Sequence, residues 1–196
     1  LAAGLPPVRI AVNIAPAQLR HPQFAAEFLH VVESWSTPQC GLDIEITEGL
    51  LHEDSVAEVD KLRQLHDRGV QIAIDDFGTG YSSLTRLAQL PIDTLKIDRQ
   101  FIARLLGGSP GNSVVRTIIA LAGAFGMTTV AEGVETAEQL DALAQLGCQQ
   151  SQGYLHSRAV PAADFARMLA HGDGAMLQPA AGRALHGVDA GHRPAT

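Results

Sequence analysis

Positive charge and sulfur are both scarce in this chain. Of 196 residues only 14 are Lys or Arg, against 21 Asp or Glu, giving a formal net charge of -7. A surface that tracks a nucleic-acid backbone needs a basic face, so DNA and RNA polymers are excluded as expected partners. A small anionic substrate stays open, because bound cations can supply the missing positive charge. Cysteine occurs twice, at Cys40 and Cys148, and fits no metal-ligand spacing; the 8 histidines form no HExxH pattern. Both cysteines read as reduced, half-buried core residues, which suits the cytoplasm. No apolar run approaches the roughly 20 residues of a membrane span, and no secretory leader is seen. The chain opens on Leu1 rather than Met. The polypeptide is therefore expected to extend upstream, where any membrane anchor of the complete protein would lie.

Hydrophobic residues make up 46% and charged residues 18%, ordinary values for a globular domain. Short apolar strands are expected at Val8–Asn13, Leu42–Thr47, Val70–Asp75, Thr94–Ile97, Thr128–Glu132 and Gln149–Gly153. Most are near-continuous apolar runs, as parallel strands covered on both faces should be. Between them the pattern predicts helices. Ser55–Arg68 aligns Val56, Val59, Leu62 and Leu65 and stops at Gly69; Ser113–Phe125 ends at Gly126. Thr136–Leu146 opens with Thr136 and Gln139 at capping-box spacing and closes at Gly147. Further helical turns are predicted at Phe24–Glu33, Ser83–Gln89, Arg99–Leu106 and Ala162–Ala170. Repeated βα units imply a parallel α/β architecture. A doubly wound sheet and a barrel both satisfy this pattern, although no GxGxxG follows the first strand. The domain is expected to span residues 1–170. Residues 171–196, rich in Gly, Ala and Pro, are expected to form a disordered tail.

Polar residues interrupt the strands at one recurring place, the carboxyl end: Asn13, Glu45, Asp75 with Asp76, Lys96 with Asp98, Glu132 and Gln152. Singly, each could be a helix cap or a solvated loop residue. Together they point to the rim where barrel enzymes do chemistry. Glu45 is the most telling, since it sits between Ile44 and Ile46 and would be costly to bury without a partner. Several carboxylates on one rim cannot all stay ionised without cations. An all-oxygen set of Asn, Glu and Asp suits hard Mg²⁺ or Mn²⁺ rather than zinc. Adjacent Asp75 and Asp76 could hold two such ions, the arrangement for phosphodiester hydrolysis. Lys96, flanked by Leu95 and Ile97, is one of only two lysines, with Lys61. It could hold an attacking water, neutralise charge on a phosphoryl group, or pair with Asp98 or Asp75. The glycines of Asp75–Leu84 allow a sharp turn, and Glu48 is well placed to brace it.

Five linked motifs then carry a family resemblance: Glu45-Ile46-Thr47-Glu48, the Asp75–Leu84 run, Lys96-Ile97-Asp98, Ala131–Thr136 and Gln152-Gly153-Tyr154. In order and spacing they resemble the EAL domains over about Val8 to Leu169. The resemblance implies a modified TIM-like (β/α) barrel, of which about six of eight strands are present. It also implies hydrolysis of cyclic di-GMP to linear pGpG with two Mg²⁺ or Mn²⁺ ions. By motif position, Asn13, Glu45, Asp75, Asp76 and Glu132 resemble metal ligands. Glu132 also resembles a residue assisting water deprotonation, and Lys96 the residue that positions that water. Gln152 and Asp98 resemble substrate-side contacts, and Glu48 the brace of the loop after Asp76. A homodimer and an upstream sensory or diguanylate cyclase domain are what the family suggests as partners. Two departures are local: Ala15 stands where the family usually has Ser, and Ala159 where Pro is common. The Glu-Ala-Leu signature itself is expected upstream of residue 1, so the fragment alone is expected to be poorly soluble and nearly inactive. A non-catalytic cyclic di-GMP receptor or a protein-interaction module is the alternative.

Overall fold

The computed structural model describes residues 5–35, 40–52, 56–80, 83–107 and 110–171. Of the expected tail only His171 is described, as the last residue of a helix rather than of a tail. Residues 172–196 lie outside the described residues, as do Ser55, Tyr81 and Ser82 of the predicted helix and loop.

Six strands form one sheet: β1 (Arg9–Ile14), β2 (Gly41–Thr47), β3 (Ile72–Phe77), β4 (Thr94–Ile97), β5 (Thr128–Ala131) and β6 (Gln150–Ser151). Every neighbouring pair is parallel, and the spatial order is the chain order, β1 through β6. A doubly wound sheet reverses its order at a switch point. This one never reverses; it curls into a half-barrel with flanking helices. That resolves the choice the sequence pattern left open.

The helices are α1 (Pro16–Arg20), α2 (Phe24–Trp35), α3 (Val56–His66), α4 (Leu84–Leu87), α5 (Arg99–Ala103), α6 (Pro110–Phe125), α7 (Ala137–Leu146) and α8 (Ala162–His171). Thr136 caps α7 by accepting from the Gln139 amide, while the Gln139 side chain accepts from Thr136 N, as the spacing predicted. Gly147 closes that helix at φ +86°, where a side chain would be strained. Several elements differ from expectation: α6 begins three residues earlier, at Pro110, and β6 is only Gln150–Ser151. The short α1 was not visible in the sequence pattern, and β3 runs two residues further, through Asp76 and Phe77. Cys40 and Cys148 are half-buried, and burial pushes the Cys148 thiol up.

The two faces of the sheet differ in chemistry. Ile44, Ile72, Ile74, Leu95 and Ile97 are fully buried in the main core, with Leu62 and Leu65 of α3 and Ile102 of α5. On the other face a cavity of about 410 Å³ is lined by Glu45, Ala73, Thr94, Lys96, Ser151 and Gln152, among others. At the amino ends of the strands, polar side chains close the ladder. Asp43 accepts from Gln71 N at 2.8 Å and from Arg9 Nε at 2.8 Å, and Asp93 accepts from Ile72 N at 2.8 Å. These acids serve backbone amides. The acids at the opposite end do something else. Among the described residues, no helix is long and apolar enough to cross a membrane.

Candidate active site

At the carboxyl ends of the strands, Lys96 is the hub. It is 4% exposed, and its Nζ lies 2.6 Å from Glu45 Oε2, 2.9 Å from Asp75 Oδ1 and 2.7 Å from Glu132 Oε1. Register explains the meeting: Glu45 stands beside Ala73, Ala73 beside Thr94, and Lys96 beside Val130. Glu45 thus has the partner its burial required, and that partner is Lys96, 51 positions away in sequence. The ion pair with Asp75 that the sequence allowed for Lys96 is present.

Asp75 and Asp76 would point to opposite faces of a regular strand. The ladder prevents this. Ile74 pairs with Leu95 and Phe77 with Ile97, so two residues of β3 stand opposite the single Lys96. This bulge, with Asp76 in the left-handed region at φ +54°, re-aims the second carboxylate. One oxygen each from Asp75, Asp76 and Glu132 then lies within 4.8 Å of the others. Asn13, at the end of β1, is exposed and in register with Glu45. Gln152, just beyond β6, donates from Nε2 to Glu132 Oε1 at 2.7 Å.

Asp98 divides its duties. Its side chain caps α5 by accepting from Gln100 N at 2.8 Å, and its carboxyl lies close enough to that of Asp76 to raise it. Glu48, 4% exposed, accepts from Gly78 N at 3.0 Å and Gly80 N at 3.1 Å. These two bonds tie Glu48 to the backbone of the loop after Asp76. At Gly78, φ is +97° and a Cβ would meet Phe101 at 3.0 Å, so glycine is required by backbone and space together.

The electrostatics show a site with too much negative charge. Burial pushes the Glu132 carboxyl up to about 7, against the opposing pull of Lys96, and the charge on Asp75 adds to the rise. The Asp76 carboxyl is raised chiefly by its hydrogen bond with Asp98, then by burial and by Asp75. Burial alone would lower the Lys96 ammonium, but Glu132, Glu45 and Asp75 together hold it above its usual value. Asp75 Oδ1 is buried and, although near Nζ, lacks the geometry of a hydrogen bond. One ammonium thus faces Glu45, Asp75 and Glu132, with Asp76 and Asp98 alongside. Such an excess of clustered carboxylate oxygen, with a buried oxygen lacking a donor, fits hard divalent cations.

Comparison with known proteins agrees with this arrangement. The EAL domain family model matches residues 1–159. The cyclic di-GMP phosphodiesterase NbdA of Pseudomonas aeruginosa is 39% identical over 85% of this chain and 21% of its own length. Among solved structures, the PaMucR phosphodiesterase in complex with c-di-GMP is 41% identical with a TM-score of 0.75, covering 80% of this chain and 70% of that one. BlrP1 of Klebsiella pneumoniae, in a manganese and cyclic di-GMP complex, is 29% identical with a TM-score of 0.67, covering 76% and 38%. The chain spans only 20% to 24% of the length of the first curated relatives it matches. A family match over most of the sequence, joined to a half-barrel whose strand ends gather these carboxylates, shows that this chain belongs to the EAL domain family.

Proposed function

We propose that the domain hydrolyses cyclic di-GMP to linear pGpG with the help of Mg²⁺ or Mn²⁺, two ions being held in the site. The observation that carries this reading is the convergence of Asp75, Asp76 and Glu132 within 4.8 Å of one another beside buried Lys96. Asp75, Asp76, Glu132, Glu45 and Asn13 would hold the cations, which when bound supply Lewis-acid charge to the phosphodiester. The residues of the chain do the rest. Glu132 accepts a proton from the attacking water as general base. Lys96 orients the water and offsets charge growing on the phosphoryl oxygens. Gln152 holds Glu132 in place, Asp98 orients Asp76 near the substrate side, and Glu48 fixes the loop that follows. Water oxygen bonds to phosphorus as the ring P–O bond to one 3′-oxygen breaks, that oxygen takes up a proton from solvent, and the ring opens to a dinucleotide with a terminal phosphate.

The names of the relatives and the bound ligands of the solved structures support the substrate. The activity is proposed for the complete domain, since this chain matches 70% of the PaMucR chain. A homodimer, an upstream sensory or diguanylate cyclase domain and a cytoplasmic location belong to the same proposal. The decisive test incubates the complete domain with cyclic di-GMP and Mn²⁺ and follows pGpG by chromatography, with Glu132→Gln as control. Turnover by the wild type and its loss in the variant are expected. Tight binding without product would replace the hydrolase reading with that of a receptor, and absence of binding would overturn both.

A further inference from the structure

Gln139 does more than cap its own helix. Its Oε1 accepts from Glu135 N at 2.8 Å and Thr136 N at 3.2 Å, and its Nε2 donates to Ile102 O at 3.3 Å. These partners fix the orientation of the amide, because two N–H donors face one end and a carbonyl faces the other. Ile102 belongs to α5, whose last carbonyls lack partners within the helix, and Gln139 supplies one from 37 positions away. A capping box needs only the acceptor end of this side chain. The donor end is surplus to capping, and it joins two elements that carry acids of the site.

The first element is the segment from Glu132 to Thr136. In its middle Val134 N donates to Gln152 O at 3.0 Å, and the Gln152 side chain returns to Glu132. A Cβ at Gly133 would lie 2.7 Å from Arg99 Cβ, so this segment presses on the first turn of α5. The second element is α5 itself, capped by Asp98, whose carboxyl stands beside that of Asp76. Glu132 therefore rides on one side of the Gln139 bridge, and Asp98 with Asp76 beside it on the other. The strands that deliver these residues, β3, β4 and β5, are laddered on both sides. We propose that Gln139 is a positioning residue for the cation site: it locks the Glu132 segment to α5 and so sets Glu132 against Asp76. This rests on the reading of both acids as cation ligands. The partners of Gln139 are backbone groups, and it acts on the acids through the elements that carry them.

The test uses the complete domain and separates the two ends of the amide. Gln139→Glu keeps the acceptor that the capping box needs and loses the donor to Ile102, whereas Gln139→Met loses both. With a chelator present, Gln139→Glu should melt near the wild type and Gln139→Met lower. By titration calorimetry both should bind Mn²⁺ about tenfold more weakly, the low end for residues that orient ligands. An added negative charge alone would tighten cation binding, so weakening in Gln139→Glu reads the lost bridge. Asp98→Ala should weaken binding similarly, and adding Gln139→Glu to it should cost nothing more. A second readout needs no metal: amide exchange of Gln100, held by Asp98, should quicken in Gln139→Glu while that of Glu135 and Thr136 holds. Wild-type Mn²⁺ affinity in Gln139→Glu, additive losses in the cycle, or unchanged Gln100 exchange would overturn the proposal. A wild type that takes up no Mn²⁺ would overturn the site reading instead, and Gln100 exchange would still decide whether Gln139 holds α5.

Discussion

Lys96 Nζ lies 2.7 Å from Glu132 Oε1, and that same oxygen accepts a 2.7 Å hydrogen bond from Gln152. Through this one contact the lysine links the acid just beyond β5 to those of β2 and β3, so one side chain offsets three carboxylates. Lys96→Met should therefore destabilise the metal-free protein by about 3 kcal/mol, because the buried acids lose their only ammonium. Thermal unfolding in the presence of a chelator would measure it. Mn²⁺ should recover much of the loss, since a cation that binds only the folded state stabilises it. A variant that melts like the wild type, or one that Mn²⁺ fails to rescue, would count against the cluster as a cation site.

The pH dependence follows from Glu132. Burial leads the causes that lift its carboxyl from 4.5 to about 7. An acid with a raised folded-state pKa favours folding in its protonated form. Stability from this group is thus greatest below the unfolded value near 4.5 and falls as pH rises through about 7. The metal-free protein should melt lower at about pH 7.5 than at about pH 5.5, and Glu132→Gln should flatten that slope. Cation uptake needs the carboxylate, so binding should release a proton and tighten with pH up to about 7, then level off. Calorimetry in two buffers of different ionisation enthalpy reads the released proton directly.

Much of this was legible in the chain. Glu45 between Ile44 and Ile46 declared a polar residue facing inward, and the acids at successive strand ends predicted a shared rim. Other features were hidden for physical reasons. Alternation along a strand places Asp75 and Asp76 on opposite faces, and only the register shift against β4 brings both to Glu132. Whether the sheet reversed its order depended on pairing, which no single segment encodes. The bond from Gln139 to Ile102 spans 37 residues and ends on a carbonyl, a group that every residue carries and no sequence pattern can distinguish.

Glu48 offers a separate test of the loop. Its carboxylate accepts from Gly78 N and Gly80 N, and Gly80 approaches so closely that a Cβ there would lie 3.2 Å from Glu48 Oε1. Glu48→Gln keeps the shape and removes the charge that strengthens both bonds. The expected cost is about 1–2 kcal/mol, felt by the loop more than by the core. Amide exchange of Gly78 and Gly80 should quicken while that of the β2 and β4 amides holds. Equal protection in both proteins would show that the carboxylate does not brace the loop.

Gly153 tests how Gln152 is held. A Cβ at Gly153 would lie 2.3 Å from both N and O of Val134, an approach no side chain tolerates. The crowding is backbone on backbone: Val134 N donates to Gln152 O and Leu155 N to Val134 O, both at 3.0 Å, one on each side of the glycine. Gly153→Ala must therefore part these two segments, at an expected cost of about 3 kcal/mol. It should also move Gln152 away from Glu132. Gly147 is the matched control, since its φ is +86° but a Cβ there would meet nothing within 4 Å. Gly147→Ala should cost only the left-handed backbone strain, about 1 kcal/mol. Denaturant unfolding of the two variants side by side separates crowding from strain. If Gly153→Ala proves no costlier than Gly147→Ala, the close approach that aims Gln152 at the site is not present in solution.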